Sequence, residues 1–411
     1  MIVPTTRAAL VLAVIGVLAL LIPPALTVAA VIVLVVVAAA DGWSVRAAPV
    51  IQRGIGNVVY RGVPAELTVR VKADGRRLLL RQPPGTQLRV AQPDGTGALK
   101  TTLTAKQRGV QTLPGVASAS VGPFGLARVR HPTTDPVNLT VMPDLPGAVR
   151  LLTQMRTSVH ALGGGNIRGP RGLGTEFESV REYTPDDDIR VLNWRASARL
   201  GHPMSNQYRV ERDQAVICVI DAGRLMAAPL EGTATVLDVA LDAVTVLALA
   251  ADELGDRFGA VVFDSGLRRV ISPRHRGGRA AVRSLFDLQT EPVDSDFELA
   301  LDRAARMQRA AVFVFTDLLD EAAARSLAAG VVPLARRHAA FVVSARDPEL
   351  DRLASLPDLP GTALAAMQLL ADRRLAALRL RQAGALVVEA PPGKLAAGCL
   401  HAYLAAKRGV L

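Results

Sequence analysis

The sequence predicts three parts in chain order: a membrane-spanning helical hairpin, an antiparallel β-sandwich, and an α/β domain with a mainly parallel sheet. Three observations carry this. No charged side chain occurs from Ala8 to Ala40, a run of short alternating segments follows, and the last two hundred residues alternate apolar strands with helical stretches.

The uncharged block spans 33 residues, which as one helix would reach about 50 Å, well beyond the ~30 Å hydrocarbon core of a bilayer. Pro23-Pro24 divides it into Ala8 to Ile22 and Ala25 to Ala40, so residues 1–45 are expected to form two short spanning helices joined by a Pro-Pro turn. A cleaved secretory signal is the competing reading, but apolar residues run on past the small-residue site near Ala29. Arg7, Arg46 and Arg53 flank the block and favour both termini on the cytoplasmic side, giving a multi-pass protein of the cell membrane with most of its mass in the cytoplasm. Cys218 and Cys399 are the only cysteines, too few for a disulfide framework.

Residues 46–145 hold "NVVYRG", "AELTVRVKA", "RRLLLRQ", "TQLRVAQ", "ALKTTLTA", "LARVRH" and "VNLTVMP". Short alternating runs separated by Gly, Pro, Asp and Asn are the pattern of a β-sandwich. Residues 146–213 are expected to be a linker with a charged motif, opening on the amphipathic "AVRLLTQMRTSVHAL" and the Gly-rich "GGGNIRGPRGLG". That Gly-rich stretch is not closed by Lys-Ser or Lys-Thr, so it is no P-loop. Residues 214–411 give the α/β domain. "AVICVID", "FGAVVF", "LRRVI", "AAVFVFTD", "AAFVVSA" and "ALVVEA" are its strands, and continuous apolar strands alternating with helices imply a mainly parallel sheet covered on both faces.

The net charge of +11 suits anionic lipid head groups or nucleic acid. Aromatic residues make up only 4% of the chain, too few for base-stacking platforms, and the basic residues are dispersed, so nucleic acid is excluded and the bilayer is the expected anionic neighbour.

Candidate chemistry lies at the carboxyl ends of strands, where open parallel sheets bind ligands. Asp221 ends the first strand and Asp317 the central one, and two converging carboxylates could hold a divalent cation such as Mg²⁺. The six histidines show no His-x-x-x-His spacing and no Gly-x-Ser-x-Gly elbow is present, so zinc and serine-hydrolase chemistry have no motif.

An apolar strand ending in Asp, a long helix, "GDRFGAVVFDSGLRRVISPRHRGG" and "FTDLLD" resemble a von Willebrand factor A-type domain. With "REYTPDDDIRVLNWRASAR" upstream, "GPFGLARVRH" at the end of the sandwich and the ending "HAYLAAKRGVL", the chain resembles bacterial membrane proteins grouped as domain of unknown function 58. The motif positions matched are Arg181, Glu182, Tyr183, Pro185, Asp187, Asp188, Arg190, Trp194, Ser197, Ala198 and Arg199, with Asp186 in place of the usual Gly. Metal-binding factor A domains carry Asp-x-Ser-x-Ser, whereas here Gly223 and Leu225 replace both hydroxyls. The resemblance implies a protein-binding adaptor or scaffold working with a MoxR-type AAA+ ATPase and other membrane proteins, without catalysis or a required cofactor of its own. The alternative is a metal-dependent envelope enzyme using Asp221 and Asp317. In the charged motif, arginines 181, 190 and 199 are expected to fork onto Glu182, Asp187 and Asp188, with Tyr183 and Trp194 packed beside them, joining domains or facing a partner.

Overall fold

The computed structural model describes residues 2–72, 77–163, 176–184, 192–209, 214–230, 234–318, 321–356 and 360–407. The chain divides into two compact units, Met1–Met142 and Pro143–Leu411.

The first unit opens with strand β1 (Ile2–Pro4), helix α1 (Thr6–Leu18) and helix α2 (Pro24–Ser44). Thr5 caps α1 by accepting from the Ala8 N–H. Pro24 starts α2, where its missing N–H costs nothing. The two helices differ in length more than the residue pattern predicts. At 13 residues α1 reaches about 20 Å, whereas α2, at 21, reaches about 32 Å. Only α2 is long and apolar enough to cross a membrane, among the described residues.

Both ends of this helix pair are fastened to one strand and the turn just before it. β1 pairs antiparallel with β11 (Ala127–Arg130), Ile2 opposite Val129 and Pro4 opposite Ala127. Near the far end of α2, the buried Asp41 carboxylate accepts from the backbone N–H groups of Phe124, Leu126 and Ala127 at 2.9, 2.8 and 2.9 Å. A Cβ at Gly122 would overlap that carboxylate, so only glycine fits there.

The remaining strands of this unit are β2 (Ile51–Gly54), β3 (Val58–Tyr60), β4 (Ala65–Val71), β5 (Arg77–Arg81), β6 (Leu88–Val90), β7 (Asp94–Thr96), β8 (Ala98–Ala105), β9 (Gly109–Leu113), β10 (Ala117–Val121) and β12 (Val137–Met142). Among the described residues, the larger sheet is antiparallel in the order β1-β11-β10-β5-β7-β8-β4-β2, with β6 on β8. A smaller sheet has the order β3-β12-β9. Alternation drives the pairing, since every second residue of β8 is buried. Leu67 and Leu103 of the larger sheet share a core with Leu113, Leu139 and Val141 of the smaller one. Among the described strands, the expected antiparallel pattern breaks where β12 runs parallel to β3.

The second unit holds α3 (Leu145–Gly163), β13 (Glu176–Glu182), α4 (Trp194–Leu200), β14 (Met204–Arg209), β15 (Ala215–Asp221), α5 (Val236–Leu254), β16 (Arg257–Phe263), β17 (Leu267–His275), α6 (Gly278–Leu285), α7 (Phe297–Ala305), β18 (Ala310–Phe315), α8 (Glu321–Ala335), β19 (Ala339–Ala345), α9 (Pro348–Ala354), α10 (Pro360–Gln382), β20 (Leu386–Ala390) and α11 (Pro392–Lys407). Its sheet has the order β17-β16-β15-β18-β19-β20. Every neighbouring pair is parallel except β16 with β17. β15 and β18 are buried along their whole length, as expected for central strands covered on both faces. Helix α5 begins with a Thr235–Asp238 capping box and ends at Gly255 in the left-handed region.

The segment read as a linker is more structured than its composition implies. α3 forms there, and β13 and β14 make an antiparallel pair with α4 between them. The local reason is Asn193, whose side chain caps α4 at Ala196 N and also donates to Asn206 of β14.

Candidate functional site

Asp221 ends β15 and Asp317 follows the end of β18, where the Asp221 charge helps to raise the Asp317 pKa, yet the two carboxylates are turned to different partners. Asp221, 1% exposed, accepts through Oδ1 from the Gly223 N–H at 2.8 Å and from Ser295 Oγ. Its Oδ2 accepts from Thr316 Oγ1 at 2.7 Å. Both carboxylate oxygens are therefore occupied by donors from three separate stretches of chain. Asp317, 4% exposed, accepts through Oδ1 from the Leu318 N–H at 2.7 Å and the Arg373 Nη1 at 3.1 Å.

Arg373, like Ser295 and Thr316, is a residue that sequence reasoning missed. It lies buried on α10, and its Nη2 also donates to Ser344 Oγ at 2.9 Å and to the Ala345 carbonyl at 2.7 Å. Glu389 of β20 stands 3.8 Å from its Nε. One guanidinium thus ties the ends of β18, β19 and β20 to a helix. No spacing rule could have found it, since Arg373 is 56 residues from Asp317 and sits beside Arg374 in a helix rich in basic residues.

Electrostatics follows the geometry. Burial pushes the Asp221 carboxyl above its usual range, against the opposing effect of its Ser295, Gly223 and Thr316 donors. Burial also pushes Asp317 up, with Arg373 pulling it back.

Gly223 explains the departure from Asp-x-Ser-x-Ser. A Cβ there would overlap Ser295 Oγ and approach the Val293 carbonyl to 2.8 Å. A serine at 223 cannot fit while Ser295 fills that space. Hydroxyls therefore do surround Asp221, but they come from residues 295 and 316. Leu225 instead lines a pocket of about 260 Å³ beside Asp221, with Arg224, Val293, Asp294 and Ser326. Arg224 pairs with Asp294 at its rim.

As arranged, these residues do not fit a divalent cation held between two carboxylates. Asp317 is given over to a guanidinium, and both oxygens of Asp221 are bound to donors. Among the described residues, no group of three or more His, Cys, Asp or Glu side chains converges. The arrangement locks the ends of β15 and β18 and the 293–296 loop together.

The charged motif is only partly within the described residues, since Pro185, Asp187, Asp188 and Arg190 lie outside them. Arg181 and Glu182 are exposed on β13, where Arg181 donates to the Glu182 carbonyl and Glu182 lies 3.6 Å from His202. Tyr183 donates its N–H to the Pro203 carbonyl. Ser197 donates to the Asn193 carbonyl and accepts from the Met204 N–H, both at 2.8 Å. Arg199 sits in the last turn of α4. Trp194 stands 73% exposed, unlike the packed position expected of it. The first turn of a short helix held by Asn193 and Ser197 turns that side chain to solvent.

These features define a protein with an N-terminal apolar helix long enough to span a membrane, antiparallel sheets in the middle, and a mixed, mostly parallel α/β sheet at the C-terminal end. Residues 179–368 match the model of the family described as "Protein of unknown function DUF58". It is 30% identical over 207 residues to uncharacterised proteins of Mycobacterium bovis and of Mycobacterium tuberculosis strain H37Rv. That match covers 47% of this chain and 60% of each relative, so the chain spans about 60% of the length of the curated relatives it matches. Among solved structures, it is similar to an uncharacterised membrane-spanning protein from Vibrio fischeri at 13% identity and a TM-score of 0.19, over 47% of this chain and 98% of that one. A likeness that small carries no argument about fold or activity.

Proposed function

We propose that this chain is a membrane-anchored scaffold or adaptor, with its helix pair forming a two-pass hairpin and its bulk in the cytoplasm. In this reading the two sheets of the first unit form a β-sandwich, the second unit is a von Willebrand factor A-like domain, and the working partner is a MoxR-type AAA+ ATPase. The observation that carries the reading is the fastening of both helix ends to β11, through β1 and through Asp41. A helix pair that leaves and returns to one strand places its flanking chain on one face of a bilayer. The closed hydrogen bonding of Asp221 and Asp317 supports a structural role for the strand tips, and the exposed Trp194 supports docking, since exposed aromatics anchor many interfaces.

A reporter at the C-terminus tests the topology: activity on the cytoplasmic side is expected, and activity only outside refutes the reading. Crosslinked recovery of the ATPase from membranes, lost in Trp194→Ala, tests the partnership. The rival reading, a metal-dependent enzyme, requires Asp317 to leave Arg373. Tight Mg²⁺ or Mn²⁺ binding lost in Asp221→Ala would favour it over the scaffold.

A further inference from the structure

Helix α10 is apolar on two opposite sides. Its inner side, with Ala366, Ala376, Ala377 and Leu380, is buried around Arg373. Its outer side presents Leu364, Met367, Ala371, Leu375 and Leu378, all exposed, and the four large side chains are 67%, 57%, 52% and 51% exposed in that order. At roughly 100° per residue these five positions fall within about 80° of arc. An apolar stripe along a helix is ordinarily covered by another element. The outer stripe of α10 lacks that cover.

The spacing of the stripe identifies what covers it. From Leu364 to Leu378 the steps are three, four, four and three residues, the same in either direction about Ala371. We propose that this face is a twofold interface between two copies of this chain, α10 packing antiparallel on α10 with the axis at Ala371. In that register Leu364 meets the partner's Leu378, Met367 meets the partner's Leu375, and Ala371 meets itself. One surface thereby complements itself, as an isologous contact requires. The smallest side chain falls at the crossing point, where helices approach to about 8–10 Å between axes.

Charge agrees with the register. The exposed Arg374 comes level with the partner's Gln368, and the exposed Arg381 with the partner's Gly361. Neither cation meets another head on. An anionic lipid surface would accept the same arginines but makes no use of a stripe symmetric about its midpoint.

The stripe is about 21 Å long, so this contact by itself falls short of the ~1,200 Å² typical of stable complexes in solution. The dimer is weak for free protein and gains when copies are held close together.

The test is Ala371→Cys in the full chain, in membranes, with a short bismaleimide. Cys218 and Cys399 are buried and give no background. A covalent dimer is expected from Ala371→Cys. A mixture of Leu364→Cys and Leu378→Cys chains should give at least fivefold more dimer than either alone, because like positions lie about 21 Å apart in the antiparallel register. Adding Met367→Asp and Leu375→Asp to Ala371→Cys should cut the dimer at least tenfold while circular dichroism is unchanged. Failure of Ala371→Cys to crosslink while it labels freely with a soluble maleimide overturns the proposal. Shielding of the introduced thiol by lipid without a dimer also overturns it, in favour of the bilayer. Equal crosslinking of Leu364→Cys alone and of the mixture overturns the register.

Discussion

The Arg373 guanidinium lies 3.1 Å from the Asp317 carboxylate with side chains 5% and 3% exposed, so each charge depends on the other for its place in the interior. Removing one partner strands the other. Arg373→Met or Asp317→Leu is expected to destabilise the second unit by about 3–5 kcal/mol, and the double variant by much less, because the apolar pair buries no charge. Hydrogen exchange at β18, β19 and β20 reads the effect locally. Equal loss in the double and single variants would refute the pairing.

Asp221 predicts a pH dependence. Burial raises its folded-state pKa above the ordinary value of 3.8, so the folded state binds this proton more tightly than the unfolded state does. The stability it contributes is fully present below about 3.8 and is lost as pH rises through the raised folded value. Asp221→Asn has no such titration. The melting-temperature difference, variant minus native protein, should therefore rise with pH across that window and level off above it. A difference that stays flat from acid to neutral pH would refute the raised value.

Asp41 makes a local prediction. Its carboxylate is the shared acceptor for three backbone N–H groups, each of which would cost ~1–3 kcal/mol if left buried and unpaired. Asp41→Ala should release the Phe124, Leu126 and Ala127 amides to fast exchange and leave the β4–β8 pairing protected. Gly122→Ala should act in the same direction, because its Cβ overlaps the carboxylate. Unchanged exchange in both variants would count against the anchoring of α2.

Periodicity carried most of the architecture. β15, β18 and β19 are the apolar runs "AVICVID", "AAVFVFTD" and "AAFVVSA", and local chemistry alone sets their type and burial. The site was legible only as the two acidic strand ends. Its partners come from afar: Ser295 is 74 residues from Asp221, Arg373 is 56 from Asp317, and Phe124 is 83 from Asp41. Such contacts follow from strand order and helix placement, which no local pattern encodes. The parallel pairing of β3 with β12 escaped for the same reason, since alternation sets which face is buried but not the direction of a neighbour. Trp194 escaped for a different one: an aromatic in a charged motif is ordinarily packed, and here a short capped helix holds it out.

The two thiols offer a test that is independent of the site. Cys218 lies inside β15 and Cys399 on α11, both fully buried. Burial pushes the Cys218 thiol well above its ordinary value and the Cys399 thiol up to about 12. Thiolate is the reactive form, so at neutral pH both its fraction and its access are suppressed. Native protein should therefore show less than one equivalent of thiol to a disulfide reagent over hours, and two equivalents once denatured. Cys399 should appear first as denaturant rises, because α11 packs on the outside of the sheet, against α5 and β20, whereas Cys218 sits within it between β16 and β18. Rapid labelling of Cys218 in native protein would mean that the central sheet opens, contrary to the burial of β15 along its whole length.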